Sequence, residues 1–363
     1  QLDQQRETAL VLQHAILGPA QLPNGFAVRY QPATRPLQVG GDWYDVLNLD
    51  DGRIALVVGD CVGHGLAAAT IMGQLRSACR ALLLENPSPA AALAGLDRFA
   101  ERLPDAPCTT AFCAVLDPST GELIYSSAGH PPPVLVEADG TVRMLSDGRS
   151  LPLGLLVDRP RSQADATLPA RATLLLYTDG LVERRRQPLE QGIARAAGVV
   201  QDGGATSLED LATALMSSLA PSGGYQDDVA LLLYRQPAPL DLEIPAYVSQ
   251  LAGTRAALRD WLTKAAVRPT QIQDILVAAG EAVANAIEHG HRHSAGGTVN
   301  MRAAVLVDQV QLTIVDTGSW KPLAPIRDTR RGRGITLMRG LMQDVVIQPG
   351  VGGTTVHLCA RIV

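Results

Sequence analysis

Residues 40–45 read Gly40-Gly41-Asp42-Trp43-Tyr44-Asp45, and residues 53–65 read RIALVVGDCVGHG. Asp60 ends the apolar run Ile54–Gly59 and opens a loop containing Cys61, Val62, Gly63, His64 and Gly65. Asp42 precedes a second strand-like run, Trp43–Leu49, and Asp51-Gly52 between the two runs predicts a hairpin turn. Further along, Asp179 follows the strand Thr173–Tyr177 and is itself followed by Gly180, while Asp227 and Asp228 open the strand Val229–Tyr234. Any one Asp-Gly pair is an ordinary turn. Four aspartates at strand ends are a different matter, because strand ends gathered at one edge of paired sheets converge their carboxylates. Carboxylate oxygens with water in the open positions suit Mg²⁺ or Mn²⁺.

The runs around these aspartates set the architecture. Strands are predicted at Gly25–Gln31, Thr110–Leu116, Glu122–Ser127, Val134–Glu137 and Thr141–Leu145, with turns at Asp117–Gly121 and Asp139-Gly140. Helices are predicted at Gly65–Leu84 and Ala90–Leu103. Hairpins with helices inserted in pairs predict two sheets covered by helices, not alternating βαβ units. Ahead of them, Leu10, Val11, His14 and Leu17 recur at helical spacing up to Gly18-Pro19.

At 363 residues the chain exceeds what one core usually serves. Residues 235–239, RQPAP, form a Pro-rich break. The expected organisation is a linker helix over 1–19, one domain over 20–236 and a second over 237–363. In the second, helices are predicted at Val248–Ala266, Gln271–His289 and Gly334–Gln343, and strands at Thr298–Val307, Gln311–Val315 and Thr354–Cys359, giving helices on one mixed sheet. A net charge of −5 argues against a general nucleic-acid binder. The five cysteines, Cys61, Cys79, Cys108, Cys113 and Cys359, fit no disulfide or zinc spacing and read as reduced thiols of a cytoplasmic protein. No apolar run approaches the roughly 20 residues of a membrane span. The start at Gln1 suggests a piece of a longer protein, with an upstream sensor domain expected before it.

The ordered series Gly40–Asp45, Gly59–Gly65, Tyr177–Leu181 and Asp227–Ala230 resembles the motif series of the PPM-type Ser/Thr phosphatases in their bacterial SpoIIE/RsbU branch, over about residues 20–236. The resemblance implies an αββα sandwich with a centre of two ions, Mn²⁺ or Mg²⁺. It makes Asp60 the bridging ligand and the main catalytic group, with Asp42, Asp179, Asp227 and the Cys61 carbonyl completing the set directly or through water. Asp45 and Asp228 would stand behind the ligands. In the wider family an acid histidine lies two residues past the bridging aspartate, where this chain has Val62, so His64 is expected to shape the loop. Gly129-His130-Pro131-Pro132-Pro133 also matches this branch and reads as a rigid structural turn.

In the second domain Glu281 and Asn285 stand four residues apart and share a helix face. Asp316-Thr317-Gly318 follows a strand, Arg330-Arg331-Gly332-Arg333-Gly334 precedes a helix, and Gly353-Thr354-Thr355 enters the last strand. Glycines before a helix suit phosphate binding. This set resembles the GHKL ATPases, specifically the anti-sigma-factor serine kinases, over about 240–363. The resemblance implies a Bergerat α/β sandwich binding ATP and Mg²⁺. Asn285 would hold Mg²⁺, Glu281 would act as general base, and Asp316 with Gly318 would read adenine. Gly332, Arg333 (or Arg331) and Gly334 would hold phosphate, and Thr354 and Thr355 would close the pocket. Trp320 stands where the second glycine of the adenine loop is common, which leaves open a non-catalytic binding module. The run Glu288-His289-Gly290-His291-Arg292-His293 reads as a polar loop and not a zinc site.

Together the resemblances imply an α+β bifunctional regulator of a sigma factor. Its phosphatase would dephosphorylate, and its kinase phosphorylate, a serine on a STAS-type anti-sigma-factor antagonist. The alternative is an active phosphatase fused to a module that only holds the sigma factor. A homodimer is compatible with the leading helix and the kinase likeness.

Overall fold

The structure, a computed structural model, describes residues 22–33, 40–63, 65–104, 106, 108–155, 157, 159–265, 267–290, 297–306, 309–318, 333–350 and 353–362. The expected helix over 1–19, His64, His291–His293, Trp320, Arg331 and Gly332 lie outside the described residues, as does the side chain of Arg333. The chain divides into two compact units between Gln236 and Pro237.

The first unit contains β1 (Phe26–Gln31), β2 (Asp42–Asn48), β3 (Ile54–Asp60), α1 (Leu66–Glu85), α2 (Pro89–Ala100), β4 (Thr110–Asp117) and β5 (Glu122–Ala128). It continues through β6 (Val134–Val136), β7 (Val142–Met144), β8 (Arg149–Ser150), β9 (Ala164–Thr167), β10 (Thr173–Tyr177), α3 (Leu189–Asp202), α4 (Leu208–Leu219) and β11 (Val229–Arg235). One sheet runs β1-β11-β10-β6-β7; the other runs β2-β3-β4-β5-β8, with β9 also on β5. The β2–β3 hairpin closes where Gly52 adopts φ 84° and its N–H donates to the Leu49 carbonyl at 3.1 Å.

Alternation of side chains along the strands builds the layers. Trp43, Val57, Cys113 and Val115 pack against Met72, Leu75, Leu83, Leu93 and Leu96 of α1 and α2. On the other sheet Leu175, Tyr177, Leu231 and Leu233 pack against Ile193, Val200, Leu211 and Leu215 of α3 and α4. The intervening residues Ile54, Leu56, Val58, Phe112, Leu174, Leu176 and Leu232 are also buried, and β11 lies against β2 and β3. Both faces of each sheet are therefore covered, which is why the strands read as unbroken apolar runs. The result is the αββα sandwich.

Sequence reading assigned no element to α3 and α4, although Ile193, Ala196, Ala197 and Val200 form an apolar stripe. Gly192 and Gly198 interrupt its helical composition. Gly192 is a packing glycine: a Cβ there would lie 2.0 Å from the Val182 carbonyl oxygen. The short strands β8 and β9 were equally silent, each having too few residues for a period to register.

The second unit comprises β12 (Leu240–Pro245), a 3₁₀ turn (Val248–Gln250), α5 (Leu251–Lys264), α6 (Pro269–Asn285), a π turn (Ala286–Gly290), β13 (Thr298–Val305), β14 (Gln309–Asp316), α7 (Arg333–Leu341), β15 (Asp344–Gly350) and β16 (Gly353–Arg361). Its sheet runs β12-β13-β14-β16-β15. Every pairing is antiparallel, which corrects the expectation of a mixed sheet. The expected helices are shorter than drawn: the first begins as a 3₁₀ turn and the second ends in the π turn. The two edge strands, β12 and β15, were not expected, because their outward residues are polar or exposed. Ile275, Leu276, Ala279 and Val283 of α6 pack on Met301, Leu312, Ile314 and Leu358 of the sheet. Among the described residues no helix is long and apolar enough to cross a membrane.

Candidate metal and nucleotide sites

The β2–β3 pairing sets Asp42 directly opposite Asp60, and β4 sets Thr110 opposite Asp60 on the other side. Asp42 is buried, and its Oδ2 has no hydrogen-bond partner. Burial pushes its carboxyl well above the ordinary value, the Asp60 charge adds to this, and the Thr178 hydroxyl partly offsets it. Burial and then the charge of Asp179 raise Asp60 to about 7, with Asp227 and Asp228 contributing. Burial and then Asp227 raise Asp179 to about 6. Five carboxylates therefore share one field at the edge where the two sheets meet.

Glycines make the approach possible. A Cβ on Gly40 would lie 1.8 Å from Asp228 Oδ2, and one on Gly180 would lie 2.0 Å from the Asp228 carbonyl oxygen. A Cβ on Gly41 would lie 2.6 Å from the Cys61 carbonyl oxygen, so this oxygen stays open beside the aspartates. The Cys61 thiol is buried and burial pushes it up to about 12, which leaves it inert as a thiolate. Asp228 accepts from the Ala33 N–H at 2.8 Å, and its own N–H donates to Asp227 Oδ1 at 2.8 Å.

Asp179 is held differently. It starts a 3₁₀ turn, Asp179–Leu181, and accepts through its carbonyl from Glu183 N–H at 2.7 Å. Arg184 ties the same turn down by donating to the carbonyls of Gly180 at 3.1 Å and Leu181 at 3.0 Å. Thr178 locks the preceding strand end, its hydroxyl accepting from Ala230 N–H at 2.9 Å.

Asp45 does not stand behind the carboxylates as expected. It faces α1, where it pairs with Arg76 at 3.2 Å and Arg80 at 3.8 Å. Strand alternation explains this: three residues from Asp42, it points to the opposite face of β2. Asp228 does lie within the cluster.

Among the described residues no three His, Cys, Asp or Glu side chains close around one point. The arrangement is a shared carboxylate field, not a ready-made cage for a single ion. The orphaned Asp42 Oδ2 and the cost of charging one buried and two half-buried carboxyls fit a cation at this edge.

In the second unit Glu281 and Asn285 lie on α6 and face the start of α7. A Cβ on Gly334 would lie 2.8 Å from Glu281 Oε2 and 3.4 Å from Asn285 Nδ2. Asp316, at the end of β14, is buried and pairs in register with Thr354 on β16. Its Oδ1 accepts from Gly318 N–H at 2.9 Å. Gly353, at φ 143°, lets β16 enter beside Asp316; a Cβ there would lie 1.8 Å from the Asp316 carbonyl oxygen. The structure thus forms two pairings of expected residues, Glu281 and Asn285 with Gly334, and Asp316 and Gly318 with Thr354. Thr355 follows on β16.

Two residues that sequence reading did not assign to the first site bear on it. The Thr178 hydroxyl partly offsets the rise at Asp42, and the His130 ring joins the two strands that end near Asp60 and Asp179. The first signal is the residue preceding Asp179; the second is a lone histidine in a proline turn.

Comparison with known proteins identifies relatives of both units. The family model described as "Stage II sporulation protein E (SpoIIE)" matches residues 50–237, and "Histidine kinase-like ATPase domain" matches residues 244–360. Phosphoserine phosphatase RsbP of Bacillus subtilis is 27% identical over 152 residues, covering 40% of this chain and 37% of its own length. The chain thus spans little over a third of that relative. Serine-protein kinase RsbW of Oceanobacillus iheyensis is 25% identical over 127 residues, covering 31% of this chain and 80% of its own length. The crystal structure of the RsbU and RsbW domains of Rv1364c from Mycobacterium tuberculosis is 33% identical, with a TM-score of 0.59, and the match covers 96% of this chain and 95% of that one. With its carboxylate edge in one unit and its Glu281–Gly334 pairing in the other, the chain belongs to the SpoIIE family of PPM-type phosphatases, here joined to a histidine kinase-like ATPase domain.

Proposed function

We propose that this chain is a bifunctional partner-switching regulator acting on one serine of a STAS-type anti-sigma-factor antagonist. The first unit removes the phosphate in a reaction dependent on Mn²⁺ or Mg²⁺. The second uses ATP and Mg²⁺ to restore it and sequesters a sigma factor. The observation that carries the phosphatase half is the buried, unpartnered Asp42 Oδ2 beside a carboxylate raised to about 7.

Asp60 would bridge two ions, with Asp42, Asp179, Asp227 and the Cys61 carbonyl as further ligands. With water in the remaining positions, an ion would need only one or two direct carboxylates, which is compatible with the spread of the cluster. Bound ions supply an acidified water nucleophile and neutralise charge on the phosphoryl oxygens. The chain's own part is to gather the carboxylates at one edge, where a cation would favour their ionised forms, and to keep the Cys61 carbonyl open through Gly41.

In the second unit Asn285 would hold Mg²⁺ on ATP and Glu281 would take the proton of the substrate serine. Gly332, Arg333 and Gly334 would surround the phosphates, and Asp316, Gly318, Thr354 and Thr355 the adenine. The close approach of Gly334 to Glu281 and Asn285 supports this reading. The likeness to a phosphoserine phosphatase and to a serine-protein kinase supports opposed reactions on serine. Trp320 favours a second reading, a unit that holds a sigma factor without turnover.

The test incubates the chain with a STAS-type antagonist, ATP and Mn²⁺. Phosphorylation abolished by Glu281→Gln, and dephosphorylation abolished by Asp60→Ala, are the expected results. Sigma-factor binding with no phosphorylation would favour the second reading, and absence of both reactions would remove the proposal.

A further inference from the structure

His130 lies at the junction of the two sheets of the first unit, with a relative exposure of 1%. Its Nε2 is 3.0 Å from the Tyr177 carbonyl oxygen on β10, and its Nδ1 is 2.8 Å from Thr110 Oγ1 on β4. A carbonyl oxygen only accepts, so Nε2 carries the proton and donates. Nδ1 is then the bare acceptor and receives the Thr110 hydroxyl proton. Burial favours this neutral ring, holding the group down at about 4.

The two partners are not arbitrary points. Thr110 is the register partner of Asp60, and Tyr177 stands two residues before Asp179. The strands involved belong to different sheets. The turn that presents the ring is itself fixed. Gly129 takes φ 69°, donates to the Ser150 carbonyl at 2.8 Å, and has no room for a Cβ, which would lie 2.5 Å from Pro152 Cγ. Tyr177 returns the contact by donating its hydroxyl to the Pro132 carbonyl at 2.9 Å.

Apolar packing between the sheets is non-directional and does not by itself orient the strand ends that carry the ligands. A ligand set drawn from both sheets requires placement within about 0.5 Å. We propose that His130 is a positioning residue for the metal site, coupling the strand end that bears Asp179 to the strand paired with Asp60 and so fixing the separation of ligands contributed by the two sheets. The proposal rests on the metal-dependent reading given above. It assigns the Gly129–Pro133 turn a function in setting the site, beyond terminating a strand.

The test is Mn²⁺ binding to the full chain by calorimetry, with folding checked by circular dichroism and thermal melting. Thr110→Val removes the hydroxyl without changing shape, Thr110→Ser restores it, and His130→Leu removes both bonds. Metal affinity is expected to fall about tenfold in Thr110→Val and at least as far in His130→Leu, the usual scale for groups that orient ligands. Thr110→Ser is expected to recover most of it. A folded Thr110→Val or His130→Leu protein that takes up Mn²⁺ as the wild type does, while melting earlier, would make the residue merely structural and overturn the proposal. If His130→Leu does not fold, the two Thr110 variants decide the question. Wild-type protein that binds no Mn²⁺ would instead remove the metal reading, and this proposal with it.

Discussion

At the scale of single residues, the first site is a balance between burial and charge. Asp42, Asp60 and Asp179 all hold their protons more tightly in the fold than in the free chain. The folded protein therefore binds more protons than the unfolded one from the ordinary value near 3.8 up to about 7. The contribution of these groups to metal-free stability falls as pH rises through that window. A divalent ion reverses the sign by favouring the ionised forms. Mn²⁺ should accordingly raise the melting temperature more at pH 7.5 than at pH 5.5, and its binding at pH 6 should release protons, measurable by calorimetry in two buffers. Equal stabilisation at both pH values would contradict the assignment. Gly40 offers a second test, because a Cβ there meets Asp228 Oδ2 at 1.8 Å. Gly40→Ala should displace that carboxylate from the Ala33 N–H and weaken Mn²⁺ binding, with a loss of stability of about 1–3 kcal/mol from the overpacking. Unchanged Mn²⁺ affinity would separate Asp228 from the site.

The positions of Asp42, Asp60, Asp179 and Asp227 were legible because each ends or opens an apolar run, and strand ends are where a sheet edge gathers side chains. The role of Asp45 was not. It lies in the same short motif as Asp42, and only the alternation of β2 sends it to Arg76 and Arg80 instead. Thr178 and His130 were illegible for another reason: their contacts cross between strands far apart in the chain.

At the scale of elements, apolar period and turn chemistry located the long helices and most strands to within a few residues. They missed α3, where small residues replace large ones along the buried stripe, and α4, although Leu211, Leu215 and Leu219 recur on its buried face at helical spacing. Gly192 shows why small residues are used: α3 packs directly on the backbone of the turn that follows Asp179. Gly192→Ala would put a methyl group 2.0 Å from the Val182 carbonyl oxygen, and backbone cannot swing aside as a side chain can. It should destabilise the first unit by about 1–3 kcal/mol and lower phosphatase activity by shifting that turn. Thermal melting and p-nitrophenyl phosphate hydrolysis measure the two effects, and a variant with wild-type values would refute the close packing. Edge strands β12 and β15 escaped notice because an edge needs little apolar surface, so its pattern resembles a loop.

At the scale of the whole molecule, two sheets under paired helices and a separate five-stranded sheet with its helices correspond to the two motif series in the sequence. The antiparallel pairing throughout the second sheet was beyond reach, because pairing direction depends on chain connections that no local pattern records. The opposed activities proposed for this chain make a demand that neither unit makes alone: each must work when the other is disabled. Asp60→Ala should abolish dephosphorylation by at least about a hundredfold, a typical scale for removing a principal charge-stabilising group, while leaving ATP-dependent phosphorylation intact. Glu281→Gln should do the reverse. The most direct measurement follows the phosphoserine content of a STAS-type antagonist over time, with ATP and Mn²⁺, in the presence of wild type, Asp60→Ala or Glu281→Gln. The account predicts accumulation of phosphoserine with Asp60→Ala, its loss from pre-phosphorylated antagonist with Glu281→Gln, and an intermediate steady level with wild type. An antagonist whose phosphorylation is the same under all three proteins would contradict it.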